Sequence, residues 1–143
     1  MKKIKLLLVD DEKPFLDTIT KRLEKRDVSV SAVYGGKEAL DELEKNKAVE
    51  VVVLDVKMPG MDGIQTLIEI KKRFPLVEVI MLTGHATIET AIDGMKLGAF
   101  DYLMKPCDID VLVSKANDAA SKKRIHEEKI TEARIREITE RRV

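Results

Sequence analysis

Short apolar runs that end abruptly in polar residues recur along the chain, and segments with apolar residues at helical spacing separate them. The most informative run is Val51–Leu54, which is mostly β-branched and is followed at once by Asp55. Such a run is typical of a central strand that is buried on both faces of a parallel sheet. The turn-forming Met58-Pro59-Gly60 comes next, and because proline lacks the N–H that a sheet ladder needs, the strand must end near Asp55.

Four more apolar runs predict the remaining strands. They are Ile4–Val9, Val28–Ala32, Val77–Leu82 and Asp101–Met104. The segments predicted as helices end near Arg26, Asn46, Phe74 and Gly98, and the last helix begins at Asp108. Regular alternation of strands and helices with short connections indicates a three-layer α/β/α domain, in which right-handed crossovers cover both faces of a parallel sheet.

The fourth predicted helix begins at Thr87 and contains an interior glycine, Gly94. An interior glycine costs about 0.5–1 kcal/mol relative to alanine, so we expect a weak helix and a candidate for motion. Its apolar residues are expected on one face of the helix: Ile88, Ala91, Ile92 and Met95. Gly98 occupies the position of a C-terminal cap.

The composition narrows the range of functions. The 143 residues suffice for one domain, and 26 Lys and Arg balance 26 Asp and Glu, so no basic excess indicates a direct nucleic-acid or membrane partner. The single cysteine, Cys107, excludes an internal disulfide and is typical of a reducing compartment. No apolar run approaches the ~18 residues of a membrane span. We therefore expect a cytoplasmic protein.

Chemically distinctive side chains follow four of the five predicted strands. They are Asp10 and Asp11, Asp55, Thr83, and Lys105. In a doubly wound, flavodoxin-like sheet of order 2-1-3-4-5, ligands bind where the strand order reverses, at the carboxyl ends of strands 1 and 3. The three aspartates should therefore meet, with the hydroxyl and the ammonium on the same rim. Carboxylates that lie so close repel each other, and a hard cation such as Mg²⁺ would relieve the repulsion.

Carboxylates, Mg²⁺, a lysine and a hydroxyl are the groups that phosphoryl transfer uses. Asp55 is the best candidate for a covalent acceptor because it stands alone on the central strand. Any one of these residues taken singly is more often a helix cap or a turn residue. Their joint occurrence at four strand ends favours a functional site.

Four motifs resemble those of the receiver domain of two-component response regulators. They are Leu8–Glu12, Leu54–Gly63, Met81–Gly84 and Tyr102–Pro106. The resemblance extends from residue 4 to about residue 120. It implies that a histidine kinase or a histidine phosphotransfer protein phosphorylates Asp55. The chain would then be a signalling switch and not an enzyme, catalysing only its own phosphorylation and slow autodephosphorylation.

The resemblance also implies how the metal is held. Asp11 and Asp55 would bind Mg²⁺ directly, Asp10 would bind it through water, and Lys57 would bind it through its backbone carbonyl. A cis peptide bond before Pro106 is a further feature that the resemblance implies.

The remaining roles are likewise implied by the resemblance. Thr83 would hydrogen-bond the phosphoryl group and Lys105 would pair with it. Tyr102 matches the aromatic residue that turns inward when the hydroxyl moves, although an ordinary half-buried strand tyrosine would look the same. Lys57 and His85 match variable positions that influence the lifetime of the phosphoryl group, or they are solvated loop side chains.

The domain organisation is expected to be a receiver over residues 1–120 and a charged helical extension or linker over residues 121–143. Two oppositely charged pairs in the extension have the i,i+4 order that favours a helix: Glu132 with Arg136, and Glu137 with Arg141. Its apolar residues do not keep one heptad register, so a coiled coil is poorly supported. A solvated helix, a dimer-forming stalk and a partner-binding helix remain open, including dimerisation on phosphorylation. No helix-turn-helix punctuation indicates DNA binding.

Three functions fit an α/β domain with these strand ends. The first is a phosphorylation switch that signals to an unidentified protein through the surface near Tyr102. The second is a haloacid-dehalogenase-type phosphohydrolase, which needs a second aspartate two positions after its nucleophile. Glu12 and Lys13 stand at that spacing after Asp10 and Asp11, which disfavours it. The third is a nucleotide or flavin binder, which is disfavoured because no glycine-rich loop follows the first strand.

Overall fold

A single sheet of parallel strands forms the centre of the molecule. The computed structural model describes residues 3–56, 62–84 and 88–141. The strands are β1 (Ile4–Val9), β2 (Val28–Val33), β3 (Val51–Leu54), β4 (Glu78–Thr83) and β5 (Asp101–Met104). They pair in the order β2-β1-β3-β4-β5. The predicted strand order is confirmed.

In the described part of the chain, four helices connect the strands and a fifth follows β5, and together they cover both faces of the sheet. They are α1 (Lys13–Glu24), α2 (Gly36–Lys45), α3 (Gly63–Arg73), α4 (Ile88–Lys96) and α5 (Ile109–Arg141). One apolar core lies between the sheet and helices α1 and α5, and a second lies between the sheet and helices α2 and α3. The chain therefore has the predicted three layers.

The position of β3 between the two cores explains why its apolar run is uninterrupted. Val51 and Val53 point into the core beneath α1 and α5, whereas Val52 and Leu54 point into the core beneath α2 and α3. All four side chains are buried. A strand between two cores favours apolar side chains on both faces, and the apolar run ends where the polar Asp55 follows Leu54.

Helix α4 exposes part of its apolar face. Ile92 and Met95 are 47% and 46% exposed. Gly94 is the buried residue between them, and a β-carbon there would collide with the sulfur of Met81 on β4. The glycine lets the helix backbone approach the sheet closely, and the apolar side chains beside it remain on the outside. Gly98 adopts a φ of +105°, as expected of a C-terminal cap.

Helix α5 continues without interruption into the charged extension, which confirms the predicted continuation. Its last fully buried residue is Ala120, and nearly all side chains beyond it are exposed. Glu137 and Arg141 form the expected ion pair, with Nη2 and Oε1 2.6 Å apart. The division between residues 1–120 and 121–143 thus falls inside one helix and stays a prediction.

Two buried glutamates at the amino ends of β3 and β4 attach the start of the extension to the sheet. Arg124 donates hydrogen bonds of 2.6 and 2.8 Å to the two carboxylate oxygens of Glu50. Lys122 and Lys71 each place Nζ 3.6 Å from a carboxylate oxygen of Glu78. We call these five residues the basal cluster. Through Lys122 and Arg124, the start of the extension is therefore in contact with the sheet.

Among the described residues, no helix is both long enough and apolar enough to cross a membrane.

Substituting Arg124 by Gln should lower the free energy of unfolding by about 1–2 kcal/mol, because a buried carboxylate loses its two charged hydrogen bonds. This value is in the lower part of the range usual for hydrogen bonds to charged groups, because Arg124 is itself partly exposed to solvent. Urea unfolding followed by circular dichroism measures the difference. Arg134→Gln is the matched control, since Arg134 lies exposed on the same helix and forms no ion pair within the described ranges.

The effect should also depend on pH. Burial acts to raise the pKa of Glu50, but the hydrogen bonds from Arg124 and from the Lys5 N–H outweigh it, so the pKa lies below its ordinary value of 4.5. A carboxyl with a lowered folded-state pKa stabilises the fold above its unfolded-state pKa and loses this effect as the pH falls through the folded-state value. The difference between wild type and Arg124→Gln should therefore be full above about pH 5 and shrink at lower pH. A difference that stays constant down to about pH 3 would contradict this account.

Candidate functional site

The carboxyl ends of β1 and β3 bring three aspartates together. Asp10 and Asp11 follow β1, Asp55 follows β3, and the two strands are neighbours in the sheet. One carboxylate oxygen of each residue lies within 4.8 Å of the others. Asp10 and Asp55 are each only 2% exposed, whereas Asp11 is open to solvent. The predicted meeting of the three carboxylates is confirmed.

Backbone hydrogen bonds hold the two buried aspartates at the sheet edge. The N–H of Asp55 donates to the carbonyl of Val9 at 3.0 Å, and the N–H of Asp10 donates to that of Val33 at 3.2 Å. The Asp10 carboxylate also accepts the Glu12 N–H at 2.9 Å. Both residues thus extend the ladder beyond their strands, and their positions follow from the sheet itself.

The start of α3 presses against the backbone of Asp55. Asp62 accepts the Gln65 N–H at 2.8 Å, and the Gln65 side chain accepts the Asp62 N–H at 3.3 Å, which forms a capping box. The next residue, Gly63, donates its N–H to the carbonyl of Val56 at 2.8 Å. A β-carbon on Gly63 would collide with the Asp55 carbonyl and the Val56 Cα. This contact was not predicted, although the spacing of Asp62 and Gln65 is a recognisable capping signal.

Lys105 reaches the aspartates from the far edge of the sheet. Its Nζ lies 2.5 Å from Oδ2 of Asp10, 3.5 Å from Oδ2 of Asp55 and 3.6 Å from Oε1 of Glu12. Its backbone N–H donates to the carbonyl of Thr83 at 3.0 Å, which continues the β4–β5 ladder. The peptide bond between Lys105 and Pro106 is cis, as the resemblance implied.

The pKa shifts follow from this arrangement. Burial raises the pKa of Asp10, and this effect exceeds the opposite one of its hydrogen bonds with Lys105 and the Glu12 N–H. Burial acts to lower the pKa of Lys105, but its hydrogen bond to Asp10 and the nearby carboxylates outweigh it, and the pKa is raised. Lys105 is therefore an ammonium at neutral pH. This one positive charge lies near three carboxylates, those of Asp10, Glu12 and Asp55. The negative charge is therefore only partly balanced, and a further cation could bind.

Two more of the predicted site residues, Thr83 and Tyr102, lie on the neighbouring strands β4 and β5. Thr83 is fully buried at the end of β4, and Tyr102 on β5 is half-buried, with its pKa raised by burial. Their strands are neighbours in the sheet. Lys57 and His85 lie outside the described residues, as do Met58–Met61, so the roles expected of them stay predictions.

Comparison with known sequences identifies one family. The model of the response regulator receiver domain matches residues 6–117. The DNA-binding transcriptional regulator NtrC of Klebsiella pneumoniae is 38% identical over 114 residues, which are 80% of this chain and 24% of that protein. ZraR of Salmonella typhimurium, a transcriptional regulatory protein, is 38% identical over 110 residues, or 77% of this chain and 25% of that protein. The chain spans about a quarter of the length of these curated relatives.

Solved structures agree with the sequence matches. A response regulator receiver domain protein from Clostridium thermocellum superposes with a TM-score of 0.81 at 38% identity, covering 85% of this chain and 98% of that one. NtrX from Brucella abortus superposes with a TM-score of 0.82 at 30% identity, covering 91% of this chain and 29% of that one.

Substituting Gly63 by Ala should lower the free energy of unfolding by about 1–3 kcal/mol, because the added methyl group forces the α3 start and the Asp55 backbone apart. Chemical unfolding measures the loss. Gly84→Ala is the matched control at the same sheet edge, since its β-carbon would meet only Lys105 Cβ, at 3.7 Å. Equal stability of the two variants would show that α3 does not constrain Asp55.

Proposed function

The chain belongs to the response regulator receiver domain family, and we propose that Asp55 is the residue on which it accepts a phosphoryl group. Receiver domains of this family are phosphorylation-dependent signalling switches of two-component systems. The observation that supports Asp55 is its position: it is the buried carboxylate at the end of the central strand, 3.5 Å from the Lys105 ammonium and beside Asp10 and Asp11.

The proposed donor is a phosphohistidine on a histidine kinase or a histidine phosphotransfer protein. An oxygen of the Asp55 carboxylate forms a bond to phosphorus while the bond from phosphorus to the donor nitrogen breaks, and the imidazole leaves with the electron pair. The product is an acyl phosphate on Asp55. Water later cleaves it slowly and returns the carboxylate, so the chain catalyses only its own phosphorylation and dephosphorylation.

The acidic cluster fits the Mg²⁺ that receiver domains generally bind. Oxygen ligands this close suit a hard divalent cation, and the single ammonium leaves their charge only partly balanced. We propose direct ligation by Asp11 and Asp55, ligation through water by Asp10, and a fourth contact from the Lys57 carbonyl. The ion would supply positive charge to the oxygens of the phosphoryl group during transfer.

Lys105 and Thr83 are proposed to hold the transferred group. The Lys105 ammonium already lies between Asp10 and Asp55, so a small movement brings it to a phosphoryl oxygen on Asp55. Thr83 ends the strand next to β3 and would donate its hydroxyl hydrogen to another oxygen. Lys57 and His85 are proposed to influence the lifetime of the acyl phosphate.

The signalling surface is proposed to lie around α4 and β5. Large apolar side chains are exposed there: Ile92, Met95, Leu97 and Met104. Tyr102 is half-buried beside them and would turn inward when Thr83 moves towards the phosphoryl group. A protein partner that recognises the altered surface would then receive the signal. The extension, residues 121–143, is proposed as a separate functional unit, with dimerisation on phosphorylation one role to be tested.

Incubation with phosphoramidate and Mg²⁺ should add the mass of one phosphoryl group to the intact protein. The adduct should be stable in acid and labile to hydroxylamine, as an acyl phosphate is, and Asp55→Asn should abolish it. Asp41→Asn, which changes an exposed aspartate on α2, is the matched control and should be phosphorylated like the wild type.

Two outcomes would overturn the assignment of Asp55. One is the absence of any adduct on the wild type, and the other is an adduct that survives in Asp55→Asn. Rapid multiple turnover of phosphate esters would instead favour the phosphohydrolase. The family match does not favour that alternative.

A further inference from the structure

An aromatic ring lies against the ammonium of Lys105. The Nζ atom is 4.1 Å from the centroid of the Phe15 ring. Phe15 stands in the first turn of α1, directly after Pro14, and its half-buried side chain packs against the core beneath α1 and α5. The contact joins the helix that follows β1 to the lysine that follows β5, at the edge of the sheet where the aspartates meet.

The ring and the carboxylates flank the same ammonium. Asp10 approaches Nζ to 2.5 Å and Asp55 to 3.5 Å. A ring face attracts a cation through its quadrupole without carrying a negative charge. Phe15 therefore stabilises the ammonium at this place and does not compete for it with a phosphoryl group on Asp55, as a fourth carboxylate would.

Other cation–ring contacts of the described residues are longer and more exposed. Lys47 and Arg73 lie 5.2 and 5.4 Å from the Phe74 centroid, and their side chains are 68% and 42% exposed. The Lys105 side chain is only 13% exposed. Because such contacts strengthen when the cation is desolvated, the Phe15 contact is the one that affects its cation most.

We propose that Phe15 is a positioning residue for Lys105. The face of the Phe15 ring holds the Lys105 ammonium beside Asp55 and so increases the rate at which Asp55 is phosphorylated. This inference rests on the proposed role of Asp55. Phosphorylation requires Lys105 to move from Asp10 towards the new phosphoryl oxygens. A ring face attracts the ammonium over a range of positions. It therefore stabilises the cation throughout this movement, and the ammonium does not have to become hydrated again on the way.

Substitutions that separate the ring face from its apolar bulk test the proposal. Phe15→Leu keeps an apolar side chain and should lower the rate constant for phosphorylation by phosphoramidate, at saturating Mg²⁺, about three- to tenfold. Phe15→Tyr keeps the ring face and should stay within about twofold of the wild type. Phe74→Leu is the matched control at the opposite end of the sheet and should leave the rate unchanged.

Fluorinated phenylalanines at position 15 provide the sharper measurement. Mono-, di- and trifluorophenylalanine keep the shape of the ring while progressively weakening its quadrupole. The logarithm of the rate constant should fall steadily along the series while the thermal unfolding midpoint stays constant. In NMR spectra, the ring should also shift the Lys105 ε-methylene protons upfield, and Phe15→Leu should remove the shift.

The outcomes separate the two proposals. A wild-type rate in Phe15→Leu, or a rate independent of fluorination, would overturn the role of Phe15 while Asp55 stays the acceptor. If neither the wild type nor Phe74→Leu is phosphorylated, the role of Asp55 fails. The NMR shift of Lys105 then still decides whether the ring positions the ammonium, and its absence would overturn the inference independently.

Discussion

Charge balance at the carboxyl edge of the sheet is the constraint on which the site depends. The topology makes β1 and β3 neighbours, so the aspartates that end them must share one small volume. Carboxylates gathered in this way raise each other's pKa unless positive charge joins them. Lys105 supplies one ammonium, and the pKa of Asp10 is raised chiefly by its burial. One ammonium among several carboxylates leaves their charge only partly balanced, which suits a hard cation.

The opposite edge of the sheet manages buried charge differently. At the amino ends of β3 and β4, Glu50 and Glu78 are met by three cationic side chains from α3 and α5. The pKa of Glu50 is lowered there, whereas that of Asp10 is raised at the other edge. At the amino ends the buried carboxylates are paired with cations, whereas at the carboxyl ends one ammonium is shared among several carboxylates. The end with the less balanced charge is the one proposed to bind a cation.

Sequence periodicity located the strand ends, and the order 2-1-3-4-5 expected of a flavodoxin-like sheet then placed Asp10, Asp11 and Asp55 together. It did not reveal the Gly63 contact or the basal cluster, since these join segments far apart in sequence whose relative orientation a pattern does not contain. Phe15 recurs at helical spacing with Ile19 and Leu23, and this spacing does not show that its ring lies against the Lys105 ammonium. Helical spacing put Ile92 and Met95 on one apolar face, but a pattern does not record which face the neighbouring backbone already covers, so their exposure did not follow from the sequence.

The position of Lys105 explains how one charge change at Asp55 could affect the whole site. The ammonium lies closer to Asp10, at 2.5 Å, than to Asp55, at 3.5 Å, so its shorter contact is with Asp10. A phosphoryl group would increase the negative charge on the Asp55 side and draw the ammonium towards it. Asp10 would then lose its counter-charge while buried, which is costly unless another cation compensates. With Asp55 as the proposed acceptor, its phosphorylation and cation binding near Asp10 would be coupled through the same ammonium, and each would favour the other.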